Sequence, residues 1–177
     1  LSNALRFARA RDLPVFVLGG GSNLVVADRG IEAVVVRVEI EGFEIERTSE
    51  GAATARIGAG VLWDAVVERA VAEGLAGIEC LSGIPGSTGA TPIQNVGAYG
   101  QEVGDVLQRV VVVDRETLER VEMDRAACEL GYRDSVFKRA LRDRFVVVEV
   151  ELELRAGGVA SPLRYGELSR ALGEGAH

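Results

Sequence analysis

Histidine is almost missing from this sequence of 177 residues, because the only one is the last residue, His177. A chain without an internal histidine cannot build a Ser-His-Asp triad, a Cys-His pair or most zinc sites, so we expect no bound metal. Only two cysteines are present, Cys80 and Cys128, and they lack CxxC spacing. They are most simply two small buried side chains in a reducing compartment, and we predict a cytoplasmic protein.

Basic charge and long apolar runs are also scarce. Asp and Glu number 27 against 20 Lys and Arg, which gives a net charge of −7, and Lys138 is the only lysine. A domain that binds nucleic acid normally carries a basic stripe, so we expect no nucleic-acid partner. No apolar run reaches the ~18 residues of a membrane-spanning helix, and we expect no membrane partner. The sequence opens without methionine and ends in a helix-like pattern, which predicts a fragment of a longer protein.

The hydrophobic pattern predicts a mixed α+β fold. Helices are expected at 2–11, which Ser2 can cap, at 62–73, in a short stretch after Asp124, and at 162–172. Strands are expected at 15–18, 24–27, 33–38, 43–48, 52–57, 106–113, 118–122 and 145–154. These elements do not alternate strictly, which argues against a doubly wound parallel sheet, and a seam is expected near residues 74–82. Glu149, Glu151 and Glu153 alternate along the last strand and indicate a solvated face.

Two glycine clusters follow predicted strands. Gly19 to Asn23 lacks the third glycine of the dinucleotide fingerprint and leads into a strand, and Gly58-Ala59-Gly60 lacks it as well. Taken alone, a tight turn is the commoner explanation for such a cluster. The alternative is a nest of main-chain N–H groups that holds a diphosphate without any lysine.

Two further segments have an unusual combination of residue types. Residues 84–100 are rich in glycine, amides and hydroxyls and carry no charge, which suits either the wall of a site for a flat polar ligand or an ordered surface loop. Gly131 to Ser135 places Arg133 beside Tyr132. A guanidinium offers a planar fork for a carboxylate or phosphate, whereas an isolated surface arginine more often pairs with a neighbouring acid.

Taken in order, three stretches closely resemble the UDP-N-acetylenolpyruvoylglucosamine reductase family: 17–24, 84–100 and 131–138. Residues 163–168 resemble the additional substrate-binding loop of one form of these enzymes. The resemblance implies an FAD-binding fold of the vanillyl-alcohol-oxidase (PCMH) type with two α+β lobes. It divides the chain into a first lobe at 1–74, a second lobe at 75–156 and the start of a substrate-binding domain at 157–177.

The resemblance also assigns roles to individual residues. Arg133 would be the catalytic arginine that polarises the enolpyruvyl carboxylate of the substrate, and Tyr132 and Tyr165 would bind substrate. The FAD diphosphate would be held by Gly19, Gly20, Gly21, Ser22, Asn23 and Leu24. The flavin and its ribityl chain would be lined by Gly86, Gly89, Ala90, Thr91, Ile93, Asn95, Val96, Gly97 and Ala98, with Val147 at the adenine end.

The implied reaction is the NADPH-dependent reduction of a UDP-sugar enolpyruvyl ether for peptidoglycan synthesis, by a monomer when complete. NADPH would reduce FAD, the flavin would deliver hydride, and a serine acid would protonate the product. That serine and a cooperating glutamate belong to a family domain without counterpart in these residues, so we expect FAD binding without turnover. Two alternatives stay open: another flavin oxidoreductase of the same fold, acting on an alcohol or lactone, and a non-catalytic FAD-binding fragment.

Overall fold

A computed structural model describes residues 1–48, 51–157 and 170 of the chain. The helices are α1 (Ser2–Arg9), α2 (Trp63–Ala72) and α3 (Thr91–Gln94). The strands are β1 (Val15–Leu18), β2 (Val34–Arg37), β3 (Phe43–Arg47), β4 (Ala52–Gly58), β5 (Leu75–Ala76), β6 (Gly97–Ala98), β7 (Gln101–Glu102), β8 (Leu107–Asp114), β9 (Arg120–Asp124) and β10 (Phe145–Ala156). None of the helices in these ranges combines the length and the apolar character needed to cross a bilayer.

The largest sheet has the strand order β3-β4-β10-β8-β9, and β5 pairs with the end of β10. Its strands are antiparallel, as in the register of Val150 with Ile57 on one side and with Val110 on the other. β10 is buried without a break at 146–148 and then alternates, as its sequence predicted, because helices cover both faces of the sheet centre. Trp63 and Val66 of α2 share one core with Val110 and Val150. On the opposite face, alternate residues of the same strands contact α1 through Leu5.

A second sheet contains only β1 and β2, which are parallel, with Val15 opposite Val34. The chain therefore passes from the small sheet to the large sheet between β2 and β3. The larger sheet joins β3 and β4, from the predicted first lobe, to β8, β9 and β10 of the predicted second lobe. A domain boundary near 74–82 stays a prediction, and no break in the large sheet coincides with it.

The second glycine cluster is a place where two backbones cross. Gly58 N–H donates to Gly42 O, and Gly60 N–H donates to Ile40 O at 2.8 Å. A Cβ on Gly60 would lie 2.5 Å from the Cα of Glu39. The tight-packing explanation therefore holds for this cluster, since the chain at 39–42 runs directly against it.

Three local predictions are wrong. Residues 24–27 form no strand, because in the described part of the chain no other strand lies beside them to pair with their backbone. Ser2 lies inside α1, whose N-cap is Leu1. The segment after Asp124 is a series of turns, although Asp124 Oδ1 does accept a hydrogen bond from Ala127 N–H at 2.8 Å. The predicted helix at 162–172, with Tyr165, lies outside the described residues apart from Arg170.

Candidate cofactor-binding cleft

A cleft opens at the carboxyl end of β1 and consists of two adjoining cavities of about 480 and 380 Å³. Both are lined by Phe16, Val17, Gly19, Ser87 and Ala90, so the two volumes form one continuous depression. One wall is the turn that follows β1. The other wall is the uncharged segment around α3 that the sequence singled out.

The glycine turn approaches the opposite wall closely. A Cβ on Gly19 would lie 2.7 Å from Ser87 Oγ, and one on Gly20 would lie 3.3 Å from the Cα of Gly86. Gly21 has a φ of +75°, which glycine adopts without the cost that a side chain brings. Among the described residues, no acceptor receives a hydrogen bond from a main-chain N–H between Gly19 and Asn23. The turn therefore presents consecutive donors that the protein does not itself use.

The facing wall is held by main-chain hydrogen bonds to the start of α2. Trp63 N–H donates to Gly86 O at 3.0 Å, and Thr88 N–H donates to Val61 O at 2.8 Å. Gly89 N–H donates to Ala59 O, and a Cβ on Gly89 would lie only 2.6 Å from the Cβ of Ala59. This wall is thus fixed to the core of the large sheet.

The side chain of Asn95 connects three loops. The residue adopts a left-handed conformation with a φ of 43°, and its side chain is buried. Its Nδ2 donates to Glu102 Oε2 at 2.8 Å and to Gly131 O at 2.9 Å, and its Oδ1 accepts from Gly104 N–H. The amide that the sequence predicted to line a flavin is therefore already bound within the protein, and its contact with a cofactor stays a prediction.

The cleft brings together most of the predicted site residues. The smaller cavity is lined by Gly19, Gly20, Gly21, Ser22, Asn23, Leu24, Gly86, Ala90, Val96 and Arg133. Gly89, Ile93 and Val147 line the larger cavity. The predicted residues that line neither cavity are Thr91, Asn95, Gly97, Ala98 and Tyr132. Tyr132 is 85% exposed.

Arg133 reaches the same cleft with a guanidinium that is mostly free. Its Nη2 donates to Gly97 O at 3.1 Å, and the rest of the group has no hydrogen bond or ion pair with any residue the structure describes. Two acids of this region pair with Arg139, which lies 2.7 Å from Asp134 and 3.2 Å from Glu129. The alternative of a surface arginine paired with a neighbouring acid therefore does not hold for Arg133.

Neither cysteine contributes to the cleft. Cys128 is in the core, and burial raises the pKa of its thiol to about 11. Cys80 is partly buried, burial also raises the pKa of its thiol, and it lines neither of the two cavities. Both thiols are therefore protonated at neutral pH and poor nucleophiles.

Sequence reasoning missed several lining residues, above all Ser87 and Lys138. Ser87 lies between two predicted cofactor residues, but only the folded chain brings its hydroxyl against Gly19. Lys138 lines the larger cavity, and its Nζ donates to Arg133 O at 2.7 Å. The signal for Lys138 was present in the sequence, since it is the only lysine in the chain.

Comparison with known proteins gives the same fold. The family model described as FAD binding domain matches residues 1–154. In the crystal structure of UDP-N-acetylenolpyruvylglucosamine reductase from Thermus caldophilus, 54% of the chain superimposes on 88% of this one, with a TM-score of 0.66 and 30% identity. A cholesterol oxidase from Brevibacterium sterolicum, at 15% identity and a TM-score of 0.60, covers 87% of this chain and 32% of its own, and shows the fold alone.

The sequence is also similar to curated reductases. The UDP-N-acetylenolpyruvoylglucosamine reductase of Streptomyces coelicolor is 47% identical over 171 residues, which are 96% of this chain and 43% of that protein. The chain thus spans less than half the length of the curated relatives it matches. The resemblance drawn from the three motifs and the predicted α+β FAD-binding fold are both confirmed. With the match covering nearly all of its described residues, this chain belongs to the FAD binding domain family.

Proposed function

We propose that this chain is the FAD-binding part of a cytoplasmic UDP-N-acetylenolpyruvoylglucosamine reductase that serves peptidoglycan synthesis. One observation carries the proposal. Unused main-chain donors from Gly19 to Asn23 and the uncompensated guanidinium of Arg133 line the same cavity. The first group suits an anionic cofactor, and the second suits an anionic substrate.

The residues present fit FAD. A diphosphate needs several hydrogen-bond donors and close approach of the backbone, and the glycine turn supplies both without a cationic side chain. We assign the diphosphate to Gly19 through Asn23, the flavin wall to Gly86, Gly89 and Ala90, and the adenine end to Val147. When bound, FAD supplies hydride transfer, with NADPH as the reductant.

Arg133 acts on the substrate carboxylate in this proposal. A guanidinium binds a carboxylate through two parallel hydrogen bonds and stabilises negative charge that develops beside it. Arg139 pairs with Asp134 and Glu129, and Arg133 forms no ion pair with a carboxylate in the part of the chain that the structure describes. The proton donor that the family resemblance implies is not among these residues, and we expect this chain to bind FAD without turning over.

Titration of the purified chain with FAD tests the proposal. We expect one FAD per chain, quenched flavin fluorescence, retention through desalting and release on denaturation. FMN, which lacks the diphosphate-linked adenosine, is the control and should be retained more weakly. A chain that is folded by circular dichroism but does not retain FAD would refute the proposal.

The reductant and substrate are tested on the loaded chain. Anaerobic NADPH should bleach the visible flavin band, and a UDP-sugar enolpyruvyl ether should shift it by binding near Arg133. Oxygen consumption that depends on an alcohol, without any response to NADPH, would instead favour an oxidase of the same fold.

A further inference from the structure

Arg133 has an unfavourable backbone conformation. It is the third residue of a four-residue turn, in which Gly131 N–H donates to Asp134 O at 3.0 Å and Asp134 N–H donates to Gly131 O at 3.1 Å. Its φ is +53°, in the left-handed region. Glycine is the usual residue at a turn position with positive φ, because a side chain there is strained. Such strain persists only where surrounding contacts hold the conformation in place.

One side chain holds the carbonyl of Arg133 directly. Lys138 Nζ donates to Arg133 O at 2.7 Å, and Lys138 forms no ion pair with any residue in the described ranges. Lysine normally extends into water or pairs with an acid. The neighbouring acids Asp134 and Glu129 pair with Arg139, and the ammonium of Lys138 binds the strained peptide instead.

Two further contacts fix the ends of the same turn. Asn95 Nδ2 donates to Gly131 O at 2.9 Å, and Ser135 Oγ donates to Ile93 O at 2.6 Å. Both attach the turn to the segment around α3, which forms the cleft wall. They hold Gly131 and Ser135, on either side of Arg133, whereas in the described part of the chain only Lys138 donates to the carbonyl of Arg133.

We propose that Lys138 is a positioning residue, which holds Arg133 in its left-handed conformation and so directs the guanidinium into the cleft. The link to a substrate carboxylate rests on the proposed function. The link between Lys138 and the conformation of Arg133 does not, and the test measures that conformation directly.

The experiment compares K138M, K138R and the wild-type chain. Arg142→Met is the matched control, because Arg142 lines the same cavity but is well exposed and pairs only at 3.8 Å with Asp143. Backbone chemical shifts of Arg133 report its conformation. The rate at which phenylglyoxal modifies Arg133, followed by peptide mass spectrometry, reports how firmly its guanidinium is held.

In K138M we expect the Arg133 shifts to leave left-handed values and the modification rate to rise severalfold, while other arginines keep their rates. K138R retains a donor and should restore most of the wild-type behaviour, and R142M should change neither readout. A folded K138M with wild-type Arg133 shifts and rate would overturn the proposal.

A second variant, R133G, keeps the test decisive if K138M does not fold. Glycine adopts a left-handed conformation without strain, so R133G removes the need for Lys138. The K138M/R133G double variant should then fold, and its failure to fold would also overturn the proposal. Because none of these measurements uses FAD, loss of the proposed function would be seen separately, as a wild-type chain that does not bind FAD.

Discussion

The arginines of the large sheet and the arginine of the cleft have opposite surroundings. Across the sheet, side chains of alternating charge come from five neighbouring strands in the order Glu46, Arg56, Glu151, Arg109 and Glu122. Glu151 at the centre lies 2.8 Å from Arg56 and 3.0 Å from Arg109. Hydrogen bonds from these two arginines, Arg109 first, hold the pKa of Glu151 below its usual range.

Arg133 has no such carboxylate partner among the described residues, and the adjacent Asp134 pairs with Arg139. The contrast shows where this protein pairs its own charges and where, among the described residues, it does not. In the sheet, antiparallel register places opposite charges side by side, and each cancels the next. In the cleft, the guanidinium and the glycine-turn N–H groups keep their capacity to bind an anion.

Blocking the cleft should give the largest effect on cofactor binding. An alanine at position 19 puts its Cβ against Ser87 Oγ, so we expect G19A to weaken FAD binding about tenfold or more, ~1.4 kcal/mol, with little change in melting temperature. FAD titration by fluorescence measures the change. The G19A/S87A double variant removes the clashing hydroxyl and should recover most of the affinity. Equal weakening in both variants would show that this contact does not set the width of the cleft.

Breaking the charge alternation in the sheet should cost stability and leave FAD binding intact. E151A leaves two arginines facing each other at the sheet centre, and we expect a loss of about 1–2 kcal/mol in the free energy of unfolding. Urea denaturation gives the value. E153A is the matched control on the same strand, because the exposed Glu153 lies in no ion pair among the described residues, and it should have almost no effect. Equal losses from both variants would mean that pairing at Glu151 is not what stabilises the sheet.

Lowering the pH should give the smallest effect, a partial loss of the stability that Asp114 contributes to the large sheet. Asp114 accepts hydrogen bonds from Arg144 at 2.9 Å and from the N–H groups of Glu116 and Thr117, and these lower the pKa of its carboxyl, the Arg144 bond most. A lowered native pKa gives stability that is present above the unfolded value of about 4 and is lost as the pH falls through the native value.

The D114N variant should therefore be less stable than the wild type at pH 7, with the difference shrinking below about pH 4. Urea midpoints measured from pH 7 downwards give this difference. Asp143, which is exposed, supplies the control variant D143N for the loss of a carboxylate at the surface. A D114N difference that stays constant down to pH 3 would contradict the role of the Asp114 carboxylate.

The elements with a strong local pattern were predictable. The apolar face of 62–73 and the change from continuous to alternating hydrophobicity at 145–154 correspond to α2 and β10. Residues 24–27 have the composition of a strand, but no strand of the described part of the chain pairs with them. Sequence composition does not encode whether such a neighbour is present. Glu151 was predicted to lie on a solvated face with Glu149 and Glu153, yet its side chain is only 13% exposed and is paired twice.

The sequence by itself determined the α+β pattern, the lack of an internal histidine and the motifs that point to an FAD-binding reductase, because each depends on composition or on short spacing. Tertiary structure alone decided that Gly19 meets Ser87, that the amide of Asn95 is bound by three loops, and that Lys138 holds the carbonyl of Arg133. The first two of these contacts join parts of the chain that no local pattern relates. The third joins near neighbours but depends on a turn with positive φ, whose first residue, Gly131, is attached to the cleft wall by Asn95.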